Sequence, residues 1–226
     1  MEQIKIPQNV VYKSKQEYVF QVLREAIMRC ELEPGEKLII GDIAKQLSVS
    51  SIPVREALRL LHSEDLVEYG THTGAIVSEI TTESIVETFT LKEGLETVAS
   101  RVAVQKMTND YLSALNELLL NMDAVIKNGK YEDWGKLNAE FHMTIVNVTE
   151  MPMLKEMISK VLNKWDRIRR YFFSEVLFHR HIQSQEEHRA IVKAIEEKDS
   201  VKVEQLTKEH NRNALKDYMD YINRKK

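Results

Sequence analysis

Residues 32–77 read LEPGEKLIIGDIAKQLSVSSIPVREALRLLHSEDLVEYGTHTGAIV. Within this stretch, a set of apolar residues follows the i, i+3, i+4, i+7 spacing that places them on one face of a helix. These residues are Val54, Ala57, Leu58 and Leu61. A shorter helix is predicted to begin near Asp42, and Ser48-Val49-Ser50 is a tight connection between the two. The pattern therefore predicts two helices joined by a short turn.

The flanking residues complete a small domain around this helix pair. Upstream, Tyr18, Val22, Leu23 and Ile27 form the apolar stripe of another helix. Downstream, residues 67–70 and 75–77 contain Val, Tyr and Ile and flank a polar turn, which predicts a two-stranded hairpin. Three helices followed by a hairpin are typical of a winged helix-turn-helix.

The rest of the chain is predicted to be helical. It is rich in Leu, Glu and Lys, and Pro152 stands where a helix can begin. Helical segments are predicted at 82–106, 109–128, 132–147, 151–178, 184–197 and 200–223. The polar run containing His179 and His181 is interpreted as a corner between two of them. The predicted fold class is mainly α, with a winged helix-turn-helix in residues 1–78 and an all-helical bundle in residues 79–226.

Composition narrows the possible classes of protein. The chain has 226 residues, of which 43% are hydrophobic, so it can bury a sizeable core. Its single cysteine, Cys30, cannot form an intrachain disulfide, which excludes a secreted disulfide scaffold and favours a reducing compartment. The first residues lack the apolar run of a signal peptide, and no window approaches the ~18 apolar residues of a membrane helix. We therefore expect a cytoplasmic protein without a membrane partner.

The net charge of −3 does not by itself indicate a nucleic-acid-binding protein, so DNA binding requires a local basic surface. The longer predicted helix supplies one, because Ser51, Arg55 and Arg59 lie opposite its apolar face. Lys45 adds a positive charge on the preceding helix. Arginines on a packed helix suit the major groove, and the hydroxyls of Ser50 and Ser51 suit phosphates. The alternative is a solvated helical face with two incidental arginines.

This segment resembles the DNA-binding domain of the GntR family of bacterial transcription regulators. The family pattern includes a Pro-Gly turn, present as Pro34-Gly35, and the run P-V-R-E-A-L, present as residues 53–58. The resemblance implies that Arg55 contacts operator DNA and that Gly74 lies at the wing tip near the minor groove. His72, in the same wing, is either a phosphate contact or simply exposed. The full set of candidate DNA-binding residues is Lys45, Ser50, Ser51, Arg55, Arg59, His72 and Gly74.

The segment also departs from the family pattern. Ser51 stands where the family usually has Arg, Ile52 where it has Thr, and Asp65 where it has Gly. Loss of the Arg removes a phosphate or guanine contact. We therefore expect an operator that differs from the usual family consensus.

The helical part contains a second group of candidate residues. Asn138 and His142 are spaced i, i+4 and project from the same face of one predicted helix. His188 and His210 lie on two further predicted helices. An amide oxygen and imidazoles that converge inside a bundle form a ligand set for a divalent ion such as Zn²⁺ or Ni²⁺. Taken singly, each histidine is equally explained as a surface or hydrogen-bonded residue.

These residues resemble the all-helical ligand-binding domain, called FCD, of the FadR-type branch of GntR regulators. The resemblance rests on Asn138-x-x-Phe141-His142, Glu187-His188-x-x-Ile191 and His210. Metal-binding members have Asp in place of Asn138, and Arg usually stands in place of Lys92. The neutral amide is expected to leave the charge of the ion uncompensated, which favours a small carboxylate ligand at an open position. Lys92 is then expected to be a second anchor for this effector.

The leading hypothesis is a DNA-binding transcription regulator, expected to be a repressor, that responds to a small organic acid. One recognition helix covers few base pairs, so a homodimer on a pseudo-palindromic operator is expected. One alternative is a constitutive DNA-binding dimer whose helical domain is purely structural. The other is a metal-dependent enzyme. An enzyme is not expected, because the sequence identifies no general base beside the candidate metal ligands.

Overall fold

The computed structural model describes residues 12–70 and 74–225, with side chains described for all of these except 173–179 and 225. Contacts divide the chain after Thr81 into two compact units. The N-terminal unit contains the predicted helix pair and hairpin, and the C-terminal unit contains the predicted helical segments.

The N-terminal unit contains helices α1 (Lys15–Met28), α2 (Ile40–Gln46) and α3 (Ser51–Ser63). The Ser14 hydroxyl caps α1 by accepting a hydrogen bond from the Glu17 N–H at 3.1 Å. After α2, Ser48 adopts a φ of +55°, and this left-handed conformation turns the chain into α3. The helices share one apolar core, which includes Val22, Leu23, Ile27, Ile43, Val54, Leu58 and Leu61.

A small wing completes this unit. Strands β1 (Val67–Gly70) and β2 (Gly74–Val77) pair antiparallel, with Val67 opposite Val77. The chain before α2 pairs with the other edge of β2, where the Leu38 N–H donates to the Ala75 carbonyl at 2.8 Å. Gly35 opens this segment with a φ of +79°, and a Cβ there would collide with the Glu79 carboxylate. The prediction of a winged helix-turn-helix is confirmed.

The C-terminal unit is a bundle whose helices begin and end at recognisable residues. They are α4 (Thr82–Lys106), α5 (Asn109–Lys127), α6 (Tyr131–Val148), α7 (Pro152–Tyr171), α8 (Phe173–Glu196) and α9 (Ser200–Lys225). The Thr108 side chain caps α5, Gly129 follows it with a φ of +67°, and Pro152 occupies the first turn of α7. Helix α4 packs against α6, α7 and α9, while α8 packs against α5 and α9. The mainly α fold class is thus confirmed, and none of the described helices is long and apolar enough to cross a membrane.

One predicted helix boundary is wrong. The sequence placed a corner at 179–183, whereas α7 ends at Tyr171 and α8 runs without interruption from Phe173 to Glu196. The polar run does not lie at a corner because His181 is only 1% exposed inside the bundle. Its ring stacks on Tyr131 at 5.1 Å and meets Trp134 edge-on at 4.6 Å. Aromatic packing thus buries a residue type that usually marks a surface.

Candidate functional site

The outward face of α3 presents the candidate DNA-binding residues to solvent. Ser51, Arg55 and Arg59 are exposed, whereas the buried side of the helix consists of Val54, Ala57, Leu58 and Leu61. Ser50 occupies the N-cap position but makes no side-chain hydrogen bond to the helix. The hydroxyl of Ser50 and the first N–H groups of α3 are therefore available to an oxygen ligand such as a phosphate.

The two arginines on this face differ in their partners. Arg59 Nη1 lies 2.8 Å from Glu56 Oε1, so part of its charge is engaged on the helix itself. Within residues 12–70 and 74–225, no hydrogen bond or ion pair engages the side chain of Arg55. Arg55 is thus the arginine on this face whose guanidinium can bind an external group without first breaking an ion pair.

The remaining candidates of this unit lie on other elements. Lys45 is exposed on α2, and Gly74 is exposed at the start of β2 with a φ of +77°. His72 lies outside the described residues. His62, near the end of α3, donates a hydrogen bond from Nδ1 to the Val67 carbonyl at 2.7 Å and thereby ties α3 to the wing.

In the C-terminal unit, the structure brings the three predicted histidines together. His142 lies on α6, His188 on α8 and His210 on α9, and they are 4%, 0% and 4% exposed, respectively. One ring nitrogen from each forms a group in which all atoms lie within 4.8 Å of one another. The three histidines thus form one compact cluster of imidazoles, although His142 and His188 are 46 positions apart in the sequence and His188 and His210 are 22 apart.

Two glutamates orient the rings of this cluster. Glu96 Oε1, on α4, lies 3.1 Å from His142 Nδ1, and Glu187 Oε2, on α8, lies 2.7 Å from His210 Nδ1. Only the second of these contacts is a hydrogen bond within the described residues, and a histidine that ligates a metal commonly donates its second ring N–H to a carboxylate in the way His210 does. The Nε2 atoms of His142 and His210 are therefore the ones left for an external ligand.

Each glutamate is held in turn by a buried cation. Lys92 Nζ lies 2.8 Å from Glu96 Oε2 and 3.0 Å from Asn211 Oδ1. Arg180 donates to both oxygens of Glu187, and the Arg180 Nη2 group also donates to the His210 carbonyl at 3.1 Å. The sequence-based expectation of an uncompensated metal charge is thus modified, because two carboxylates stand directly behind the imidazoles.

Sequence reasoning did not assign a role to Glu96, Glu187 or Arg180. The i, i+4 spacing of Lys92 and Glu96 is a signal for their ion pair, but the same spacing occurs on many exposed helices. Glu187 precedes His188 and therefore points away from that ring, yet it reaches His210 on the neighbouring helix. Only the packing of α8 on α9 reveals this contact.

The electrostatics keep the cluster neutral. Burial lowers the pKa of His142 and of His188 well below the usual range, and the charge of Lys92 acts in the same direction. Burial also lowers the pKa of His210, although its hydrogen bond to Glu187 opposes this shift. Burial raises the pKa of Glu187, but the hydrogen bonds from His210 and Arg180 outweigh it and lower the pKa to about 2. Neutral imidazoles beside an ionised Glu187 are protonation states that suit a metal site.

Several buried polar atoms at the cluster have no hydrogen-bond partner within the described residues. They are Glu96 Oε1, His142 Nε2, both ring nitrogens of His188, and Oδ1 of Asn138. Asn138 is 2% exposed and lies one turn before His142 on α6. A buried polar group without a partner is costly, so a group of such atoms in one place is a candidate site for an ion or ligand.

A cavity adjoins the cluster on the side of Asn138 and His210. Its other lining residues are Phe89, Lys92, Trp134, Trp165, Arg180, Ser184, Ala214 and Tyr218. Two of these, Trp134 and Tyr218, carry buried polar atoms, Nε1 and Oη, that have no hydrogen-bond partner within the described residues. The cavity therefore combines aromatic walls with hydrogen-bonding groups and two cations that are already ion-paired to glutamates.

Two family models match the chain. Residues 15–77 match the model described as bacterial regulatory proteins, gntR family. Residues 87–213 match the FCD domain, and this range contains the histidine cluster. The resemblance stated from the sequence is thereby confirmed in both parts of the chain.

Known proteins and structures agree with these matches. The chain is 32% identical over 130 residues to the HTH-type transcriptional regulator McbR of Escherichia coli, covering 58% of this chain and 59% of McbR. It is 23% identical over 197 residues to the HTH-type transcriptional repressor RspR of the same species, covering 85% of this chain and 83% of RspR. The aligned region thus spans less than two thirds of McbR. A solved structure of Escherichia coli McbR/YncC matches with a TM-score of 0.74 at 26% identity, covering 93% of this chain and 100% of the other.

Proposed function

Because the chain belongs to the GntR family of bacterial transcription regulators and carries an FCD domain, we propose that it is an operator-binding repressor controlled by a small organic acid. The family consists of regulators, not enzymes, and RspR, one of its relatives, is named a repressor. In this proposal the unit up to Thr81 binds DNA and the unit from Thr82 onward binds the effector. The proposed place of action is the cytoplasm, where operator DNA lies.

The single observation that carries the proposed effector site is the group of buried imidazole nitrogens within 4.8 Å of one another. The donor set fits a first-row divalent ion, with His142, His188 and His210 as nitrogen ligands and the Asn138 oxygen as a fourth. Zinc and nickel suit these ligands best. Such an ion, when bound, supplies an open coordination position for an oxygen of a ligand.

A small carboxylate is the ligand that this environment favours. With a divalent ion present, the cluster and its ion-paired neighbours contain the ion, Lys92 and Arg180 against Glu96, Glu187 and Asp217, so the net local charge is positive. The unpartnered Trp134 Nε1–H and Tyr218 hydroxyl can donate hydrogen bonds to oxygens of the same ligand. Lys92 contributes to the positive charge around the ligand, although its ammonium group is held by Glu96 and Asn211.

For DNA binding, the proposal assigns the operator contact to α3, with Arg55 as the main base contact and Ser50, Ser51 and Arg59 beside it. Lys45, His72 and Gly74 are proposed to contact the backbone and the minor groove. A homodimer is part of the proposal, since two copies of α3 read a pseudo-palindromic site with twice the sequence information of one. To act as a switch, the effector must bind the DNA-competent and incompetent forms with unequal affinity.

The test uses protein purified without a histidine tag. Elemental analysis is expected to find about one zinc or nickel ion per chain, and its loss with a chelator is expected to lower the melting temperature. A thermal-shift screen of small organic acids is then run with and without added metal. An acid that raises the melting temperature only in the presence of metal, and that changes operator affinity, supports the proposal.

Other outcomes of this test contradict the proposal. Metal-free protein that takes up no added ion contradicts the metal site. Operator affinity that no acid changes supports a constitutive DNA-binding protein. A monomeric mass at micromolar concentration, with and without operator, contradicts the homodimer.

Glu187→Gln is expected to weaken metal binding by about tenfold or more, because a carboxylate behind a ligating histidine raises its basicity and fixes its orientation. The substitution preserves the shape of the side chain and an oxygen that accepts from Arg180. Glu186→Gln is the matched control, since Glu186 is the exposed neighbour on the same helix. Competition with a fluorescent zinc chelator measures both affinities, and equal affinities would show that Glu187 has only a structural role.

A further inference from the structure

An exposed apolar side chain stands at the centre of the proposed DNA-binding face. Ile52, the second residue of α3, is 71% exposed. The buried residues of α3 lie on the opposite side of the helix and form the core of the unit without it. A branched aliphatic side chain in this position stays largely in water and contributes little hydrophobic free energy to folding. Packing of the unit therefore does not require an apolar residue at this position.

The neighbours of Ile52 identify the kind of surface that it faces. Arg59 lies seven residues further along the helix, almost two full turns of about 3.6 residues, so both side chains project in nearly the same direction. Ser51 and Arg55 flank Ile52 on the same exposed side. The acidic Glu56 also lies on this side, where it is paired with Arg59, and Leu60, another exposed apolar side chain of α3, lies about two turns further along the helix. The apolar group at Ile52 is therefore too small for a protein-binding patch. This face of α3 instead suits a polyanion that carries an isolated apolar group.

DNA has such a group in its major groove. The C5-methyl of thymine is the apolar feature among hydrogen-bond donors and acceptors on the base edges, and apolar side chains contact it. Residues in the first turns of a recognition helix are those that reach base edges. The side chain of Ile52 has no atom that donates or accepts a hydrogen bond, so the methyl group is the part of a base edge that it can contact favourably.

We infer that Ile52 reads the 5-methyl group of a thymine in each operator half-site. This inference rests on the proposed operator binding through α3. It assigns a specific base preference to a position at which the chain departs from the usual family residue. At any other base pair, Ile52 would cover hydrogen-bond donors or acceptors of the base edge and leave them without a partner. The isoleucine therefore also disfavours the other base pairs at that position.

The test removes the methyl group alone. An operator is first selected from random duplexes with the wild-type chain, and each thymine of one half-site is then replaced singly with deoxyuridine. At one position, loss of the methyl group is expected to weaken wild-type binding by about fourfold, the contribution of one buried carbon group. Fluorescence anisotropy at fixed salt concentration measures this change.

The variant Ile52→Ala is expected to bind more weakly and to show no difference between thymine and deoxyuridine at that position. Ile39→Ala is the matched control, because Ile39 is also exposed in this unit but lies outside α3. The control is expected to keep the fourfold methyl dependence. The inference would be overturned if the wild-type chain bound every deoxyuridine duplex as tightly as the thymine operator. It would also be overturned if Ile52→Ala kept the wild-type dependence on the methyl group. A wild-type chain that enriches no duplex would instead overturn operator binding itself, and this inference with it.

Discussion

Protein carrying His188→Ala is expected to be purified without its divalent metal and to have lost its response to the effector. His188 is fully buried, and both of its ring nitrogens lack a partner within the described residues, so it has no role in the hydrogen-bond network that its removal would disturb. Two imidazoles and an amide remain, and we expect metal affinity to fall by more than about a hundredfold, since even residues behind the ligands contribute tenfold or more. Elemental analysis and a chelator competition measure the loss.

Operator binding without effector is expected to stay near the wild-type value, because His188 and α3 belong to different units. The matched control is His181→Ala, which removes an equally buried imidazole from the same helix but outside the cluster. This control is expected to retain the metal. A full complement of metal in His188→Ala would show that the ligand assignment is wrong. A metal-free variant that still responds to the acid would place the sensing pocket elsewhere.

Most of the fold could be predicted from local sequence patterns. The stripe Val54, Ala57, Leu58 and Leu61 predicts α3 and its buried face, and both are present. Caps and breakers such as Thr108 and Pro152 mark helix starts because they act through adjacent backbone groups. The boundary between α7 and α8 was missed because no such local signal marks it. No glycine or proline marks Phe172, and the helix continues through Arg180 and His181 because both are buried against distant parts of the chain.

The candidate metal ligands could be predicted in part. Asn138 and His142 share a helical face by spacing alone, whereas the convergence of His188 and His210 was suggested by a family resemblance and is now seen in the packing of α6, α8 and α9. The surrounding charges could not be predicted. Glu187 is separated from His210 by 23 residues, and Lys92 from Asn211 by 119. Such contacts depend on the three-dimensional arrangement of helices, which periodicity does not specify.

Replacing Arg55 with alanine is expected to weaken operator binding by about 1–3 kcal/mol, or roughly fivefold to 150-fold, if its guanidinium contacts a base edge. Arg55 is exposed on the outward face of α3, and no partner within the described residues neutralises it. Arg59→Ala is expected to have a smaller effect because Arg59 is already paired with Glu56 at 2.8 Å. Arg29→Ala is the matched control, since Arg29 is exposed in the same unit and paired with Glu25 on α1.

The salt dependence of binding separates two roles for Arg55. Loss of a phosphate contact lowers the slope of log K against log salt concentration by about one and weakens binding to all sequences alike. Loss of a base contact leaves the slope nearly unchanged and instead reduces the preference for the operator over random DNA. We expect the second pattern, because α3 presents its serine hydroxyls and free N–H groups for phosphates and leaves the unpaired Arg55 to the bases. Unchanged operator affinity in Arg55→Ala would show that α3 does not use this residue to bind DNA.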